Sequence, residues 1–151
     1  MAENLDVIIL DDDAGVCDVL SEIVTEFHSW GKVYAFTDEN RALEHCLNRK
    51  GNVAIFIVDV FLSGRNAFSF LESVADKFPM AYEDTIIITG KASGDVVNMC
   101  LVAGINYLLE KPIRPFALQL AVRAIVSKYV HFARKLYLNP DLMESVAKFT
   151  S

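Results

Sequence analysis

The chain has 151 residues, 53% hydrophobic and 23% charged, with only four prolines and seven glycines, which excludes a disordered segment or fibrous repeat and suits one compact domain with a real core. A net charge of −6 speaks against a bare nucleic-acid binder, which normally carries a basic face. No stretch reaches the roughly 18 apolar residues of a membrane span, and "MAENLDVIIL" has no basic segment before its short apolar run, so the expected location is the cytoplasm.

The first apolar run, "DVIIL" at 6–10, reads as a strand and leads into three consecutive carboxylates, Asp11, Asp12 and Asp13. Their mutual repulsion makes each ionisation harder. A solvated loop start is one account; a bound hard cation such as Mg²⁺ or Ca²⁺, which takes oxygen ligands, is another. Residues 14–27 carry an apolar stripe at Val16, Leu20, Ile23 and Phe27, which predicts a helix. "KVYAF" at 32–36 is a second strand, and a helix over 38–49 presents Leu43, Cys46 and Leu47 before stopping at Gly51. "VAIFIV" at 53–58 is a third strand, running into Asp59. Residues 66–78 repeat apolar positions at Phe70, Leu71, Val74 and Phe78, and Pro79 ends that helix. "TIIIT" at 85–89 is the fourth strand; Ser93 can cap the next helix, Gly104 closes it, and "INYLL" at 105–109 is the fifth strand. Pro115 suits a first helical turn, followed by Leu118, Val122, Ile125, Tyr129 and Ala133 on one stripe. In the tail Asn139 can cap, Pro140 fits a first turn, and Leu142, Val146 and Phe149 form a stripe, so a short sixth helix is expected. At about ten residues it cannot hold alone and needs something to pack on.

Cys17, Cys46 and Cys100 are odd in number and lie in apolar helical patterns without a C-x-x-C pair, so they read as buried reduced thiols. His28, His45 and His131 are scattered and carry no assigned chemistry.

Apolar strands alternating with helices imply an α/β fold, a parallel sheet with right-handed crossovers and helices on both faces. Ligands in such sheets sit beyond the carboxyl ends of the strands. There the chain places Asp11 and Asp12, Asp59, Thr89, and Lys111 before Pro112. Three acids, a hydroxyl and an ammonium at one sheet edge fit a phosphorylated carboxylate, because phosphoryl transfer needs positioning and charge neutralisation more than covalent help. Asp59 is the candidate nucleophile. Asp12 and Asp59, with Asp11 through water, would hold Mg²⁺, Lys111 would pair first with Asp59 and then with a phosphoryl oxygen, and Thr89 would donate its hydroxyl.

"LDDDAGV", "FIVDVFLSG", "IIITG" and "LLEKPI", in that order, resemble the receiver domains of two-component response regulators over about residues 5–130. The resemblance implies a flavodoxin-like, doubly wound five-stranded parallel sheet of order 2-1-3-4-5. The receiver would cover 1–136, with 137–151 a helical extension. It further implies that Asp59 takes a phosphoryl group from a histidine kinase or phosphotransfer protein, with the Phe61 carbonyl as a further Mg²⁺ ligand. The domain would promote only its own phosphorylation and dephosphorylation, and would speak to an output protein, with a homodimer left open. Where the family often has Leu-Pro-Gly and then Asp-Gly, this chain has Leu62, Ser63, Gly64 and later Asn66, Ala67, which predicts a looser turn. Three residues before the lysine, where receivers usually carry an aromatic that moves with the threonine, stands Leu108; Tyr107 lies one place earlier and faces the opposite side. Phe61 and Lys91, two places after Asp59 and Thr89, would stand near the path of an attacking water. Two other readings remain: a receiver-like module that works without phosphorylation, and a haloacid-dehalogenase-like phosphatase with Asp11 as nucleophile and Asp13 as acid/base.

Overall fold

The computed structural model describes residues 5–150, apart from the side chains of 142, 143, 146, 149 and 150. Strands β1 (Val7–Leu10), β2 (Val33–Phe36), β3 (Ile55–Asp59), β6 (Thr85–Thr89) and β7 (Tyr107–Glu110) form one parallel sheet of order β2-β1-β3-β6-β7. This is the expected order 2-1-3-4-5. Between β3 and β6 the chain adds a small antiparallel hairpin, β4 (Phe61–Leu62) and β5 (Arg65–Asn66). The expectation of a looser turn is therefore corrected: two residues, Ser63 and Gly64, connect the arms, and Gly64 takes the left-handed φ of 78° that short hairpin connections favour.

Helices α1 (Ala14–Phe27), α2 (Glu39–Asn48), α3 (Ala67–Val74), α4 (Gly94–Ala103), α5 (Pro115–Leu138) and α6 (Pro140–Thr150) fill the connections and the tail. Strand side chains alternate between two cores. Val7, Ile9, Ile55, Ile57, Ile86 and Ile88 meet α1 and α5 through Leu20, Val24, Leu118 and Val122. Ile8, Leu10, Phe56, Val58 and Ile87 meet the α2, α3 and α4 side through Cys46, Phe70, Leu71, Val74 and Val96. Phe56 packs edge-on against Phe70 and Phe78, with ring centroids 6.3 and 5.4 Å apart, pairs worth about 0.5–1.5 kcal/mol each beyond burial.

The central strands β1, β3 and β6 are buried throughout, whereas β2 and β7, at the edges, are only half-buried. The helices sit where the periodicity places them, with local differences. Asp13 caps α1, its carboxylate accepting from the Gly15 and Val16 amides; Asn66 and Ser69 form a reciprocal cap on α3. Ser93 caps α4, and Gly104 ends it at φ 80°. Helix α3 stops at Val74, not at Pro79; Phe78 is reached through a following turn and is still fully buried. Leu47, expected on the apolar stripe of α2, is exposed, and Ala42 takes the buried place. All three cysteines are buried free thiols, Cys17 donating to the Asp11 carbonyl at 3.2 Å. The Leu142, Val146 and Phe149 stripe lies outside the described side chains. Among the described residues no helix is long and apolar enough to cross a membrane.

Candidate functional site

The sheet order reverses between β1 and β3: β2 lies beyond β1 on one side, β6 and β7 beyond β3 on the other. The carboxyl ends of the two strands at this switch point carry Asp11 and Asp12 after β1 and Asp59 as the last residue of β3. Lys111 follows β7 and reaches across the edge. Its Nζ donates to Asp59 Oδ2 at 2.7 Å and lies 2.8 Å from Asp11 Oδ2.

Asp11 is fully buried and Asp59 nearly so, whereas Asp12 is exposed. Asp11 Oδ1 accepts from the Asp13 amide at 2.9 Å. Its Oδ2 is buried with no donor aligned on it, the nearby Lys111 being turned toward Asp59. One carboxylate oxygen each of Asp11, Asp12 and Asp59 falls within 4.8 Å of the others. Three carboxylate oxygens this close together are hard donors of the kind a divalent cation such as Mg²⁺ takes. Burial pushes the Asp11 carboxyl up, against the pull of Lys111 and the Asp13 amide. Burial also works against charge on Lys111, yet Asp11 and Asp59 together outweigh it and raise its pKa. Two carboxylates thus share one ammonium.

The hairpin brings further groups to the same rim. The Phe61 amide donates to Asp59 Oδ1 at 3.1 Å, while the Phe61 side chain points outward, 67% exposed. Ser63 Oγ donates to Asp12 Oδ2 at 3.0 Å. Thr89, the fully buried end of β6, donates its hydroxyl to the Lys91 carbonyl at 3.2 Å. Leu108 and Tyr107 do face opposite sides of β7, Leu108 toward the α2, α3 and α4 core and Tyr107 toward α1 and α5.

The acids, the lysine and the hairpin loop after β3 therefore converge at one sheet edge, with Thr89 at the neighbouring strand end. Of the three consecutive acids, Asp13 is occupied by helix capping. Two contacts escaped the sequence reading. Ser63 on Asp12 depends on a hairpin too short to show periodicity. Glu110, whose carboxylate accepts from the Ala92 amide at 2.6 Å, had a visible signal, an acid closing the apolar run "NYLL".

Residues 7–123 match the response regulator receiver domain family, and the chain belongs to that family. Solved structures with the same fold include chemotaxis protein CheY4 of Vibrio cholerae, 18% identical with a TM-score of 0.68 over 80% of this chain and 98% of that one. A CheY-like receiver domain protein from Methanospirillum hungatei JF-1 is 22% identical, with a TM-score of 0.70 over 83% and 95%. A receiver domain protein from Clostridium thermocellum is 15% identical, with a TM-score of 0.73 over 84% and 98%. No curated protein matches the chain.

Proposed function

We propose that Asp59 accepts a phosphoryl group from a phosphohistidine of a histidine kinase or phosphotransfer protein, in the cytoplasm, and that the resulting charge resets a protein-binding surface. The observation that carries this reading is the Asp59 carboxylate at the sheet's switch point, held 2.7 Å from Lys111 Nζ inside a group of three acids. An Asp59 oxygen attacks phosphorus, the P–N bond to the donor imidazole breaks, and an acyl phosphate forms. Asp11, Asp12, Asp59 and the Phe61 carbonyl would hold Mg²⁺, which when bound neutralises charge on the transferring group.

The protein's own residues position and compensate. Lys111, already charged and anchored between Asp11 and Asp59, turns to a phosphoryl oxygen once Asp59 is phosphorylated. Thr89 exchanges its bond to the Lys91 carbonyl for one to the phosphoryl group. With Leu108 in the usual aromatic position, that movement reaches the surface through the loop and α4 and not through a rotating ring. The surface it biases comprises α4, β7 and α5, where Leu101, Val102, Phe116 and Leu120 stand exposed.

Intact-protein mass after incubation with acetyl phosphate tests the reading. Wild type gains a phosphoryl adduct only with Mg²⁺ present, and Asp59→Asn gains none. Equal labelling of the two proteins would contradict it.

A further inference from the structure

We propose that Glu110 is a positioning residue, a latch that holds the Thr89 loop in its unphosphorylated arrangement. The inference rests on the receiver chemistry above and assigns a regulator to the same site.

β7 ends in Glu110, and Lys111 follows it. Lys111 enters the acid pocket while Glu110 stays at the surface. A further carboxylate beside a site already rich in acids is electrostatically unfavourable unless it has a partner. That partner is the Ala92 amide, 2.6 Å from Glu110 Oε2, just ahead of Ser93, the N-cap of α4. A carboxylate at this end of a helix meets both an amide donor and the positive end of the helix dipole.

The bond spans two strands. Glu110 is paired in register with Thr89, and the segment Gly90–Ser93 joins Thr89 to α4. Inside that segment, the Thr89 hydroxyl donates to the Lys91 carbonyl, and the Lys91 amide lies 3.4 Å from Thr89 Oγ1 as a donor. The loop is folded back on the hydroxyl that the phosphorylated state needs. Glu110 clamps its next residue to β7. Delivering the Thr89 hydroxyl to a phosphoryl group breaks the bond to Lys91 and drags Ala92, so the Glu110 bond opposes the movement. The same clamp ties that movement to α4, whose outer face carries Leu101 and Val102.

The test compares wild type, Glu110→Ala and Glu110→Gln in Mg²⁺ and acetyl phosphate, following the phosphorylation rate, and reads the Ala92 amide proton by NMR in the unphosphorylated proteins. Glu110→Ala is expected to phosphorylate about three- to tenfold faster, the range expected from losing an exposed charge-assisted bond, and to move the Ala92 amide upfield. Glu110→Gln, a neutral acceptor at the same place, falls between on both readouts. A Glu110→Ala rate equal to or below that of wild type overturns the latch while leaving the receiver chemistry standing. A wild type that takes up no phosphoryl group overturns the receiver reading and this role for Glu110 with it.

Discussion

Asp11→Asn removes a negative charge from a place where two buried carboxylates share one ammonium. Asp11 Oδ2 lies 2.8 Å from Lys111 Nζ, an attraction of about 6 kcal/mol at an effective dielectric constant of ~20. Oxygens of Asp11 and Asp59 lie within 4.8 Å, so their repulsion is at least about 3.5 kcal/mol on the same scale. The surplus, at most about 2.5 kcal/mol, must offset the several kcal/mol needed to take a carboxylate out of water. Asp11 is fully buried, so its charge costs the metal-free fold about 1–2 kcal/mol on this balance. Asparagine keeps the shape and an oxygen for the Asp13 amide. In EDTA the variant should therefore melt about 2–8 °C above wild type, taking ~2–4 °C per kcal/mol for a chain of this size. Adding Mg²⁺ should narrow the gap, because a cation at ten times its Kd gives wild type about 1.4 kcal/mol and the variant, short of one acid, gains less. Thermal melts in EDTA and across a Mg²⁺ titration read both effects. An Asp11→Asn protein that melts below wild type in EDTA would instead make Asp11 a net stabilising ion-pair partner and contradict a net cost for its charge.

Three further expectations follow from particular contacts. Phe61, exposed beside Asp59, offers an attacking water no hydrogen bond, so Phe61→Asn should shorten the half-life of the phosphorylated form several-fold; a half-life as long as wild type's or longer defeats that role. Asp84 is buried against Lys128 and Tyr129, and burial raises its carboxyl above the usual 3.8 despite those bonds. Its folded pKa exceeds its unfolded one, so its contribution to stability is fully present below 3.8 and is lost as pH rises through the folded value. From acid upward the urea midpoint of Asp84→Asn should rise relative to that of wild type, and parallel curves would count against the buried-acid account. At Gly31 an added Cβ would stand 2.5 Å from the backbone carbon and oxygen of Leu5, so Gly31→Ala should cost about 1–3 kcal/mol in urea unfolding; an unchanged midpoint would show that the Leu5 backbone yields freely.

Where a segment's sequence signal was one-dimensional, the fold was legible. "TIIIT" is a strand from Thr85 to Thr89 because every position is buried in the sheet, and Asp59 and Asp11 could be placed because a strand's end is visible where its apolar run stops. Legibility failed where the deciding partner lies far away in the chain. Leu47 and Ala42 share a helix, and only the neighbouring elements determine that Ala42 goes inward. Phe78 fits the periodicity of α3 yet is buried from a turn beyond it, against Phe56. The hairpin at Phe61–Asn66 has arms of two residues, too short for any period to show. Asp84 finds Lys128 and Tyr129 more than forty residues later, and Glu110 finds Ala92 only through the β6–β7 register. The site's acids were readable as a set, but the contacts that hold Asp12 and the Thr89 loop belong to tertiary structure.

In the proposed chemistry the phosphoryl group resides on one carboxylate, that of Asp59. An acyl phosphate can be reduced with borohydride, which converts the phosphorylated aspartate to homoserine, and peptide mass spectrometry then locates the altered residue. After acetyl phosphate and Mg²⁺, the modification should appear at Asp59 and nowhere else, with Asp11 and Asp12 recovered as aspartate. Homoserine at Asp11 or Asp12, or none at Asp59 in protein that carries the adduct, would contradict the assignment.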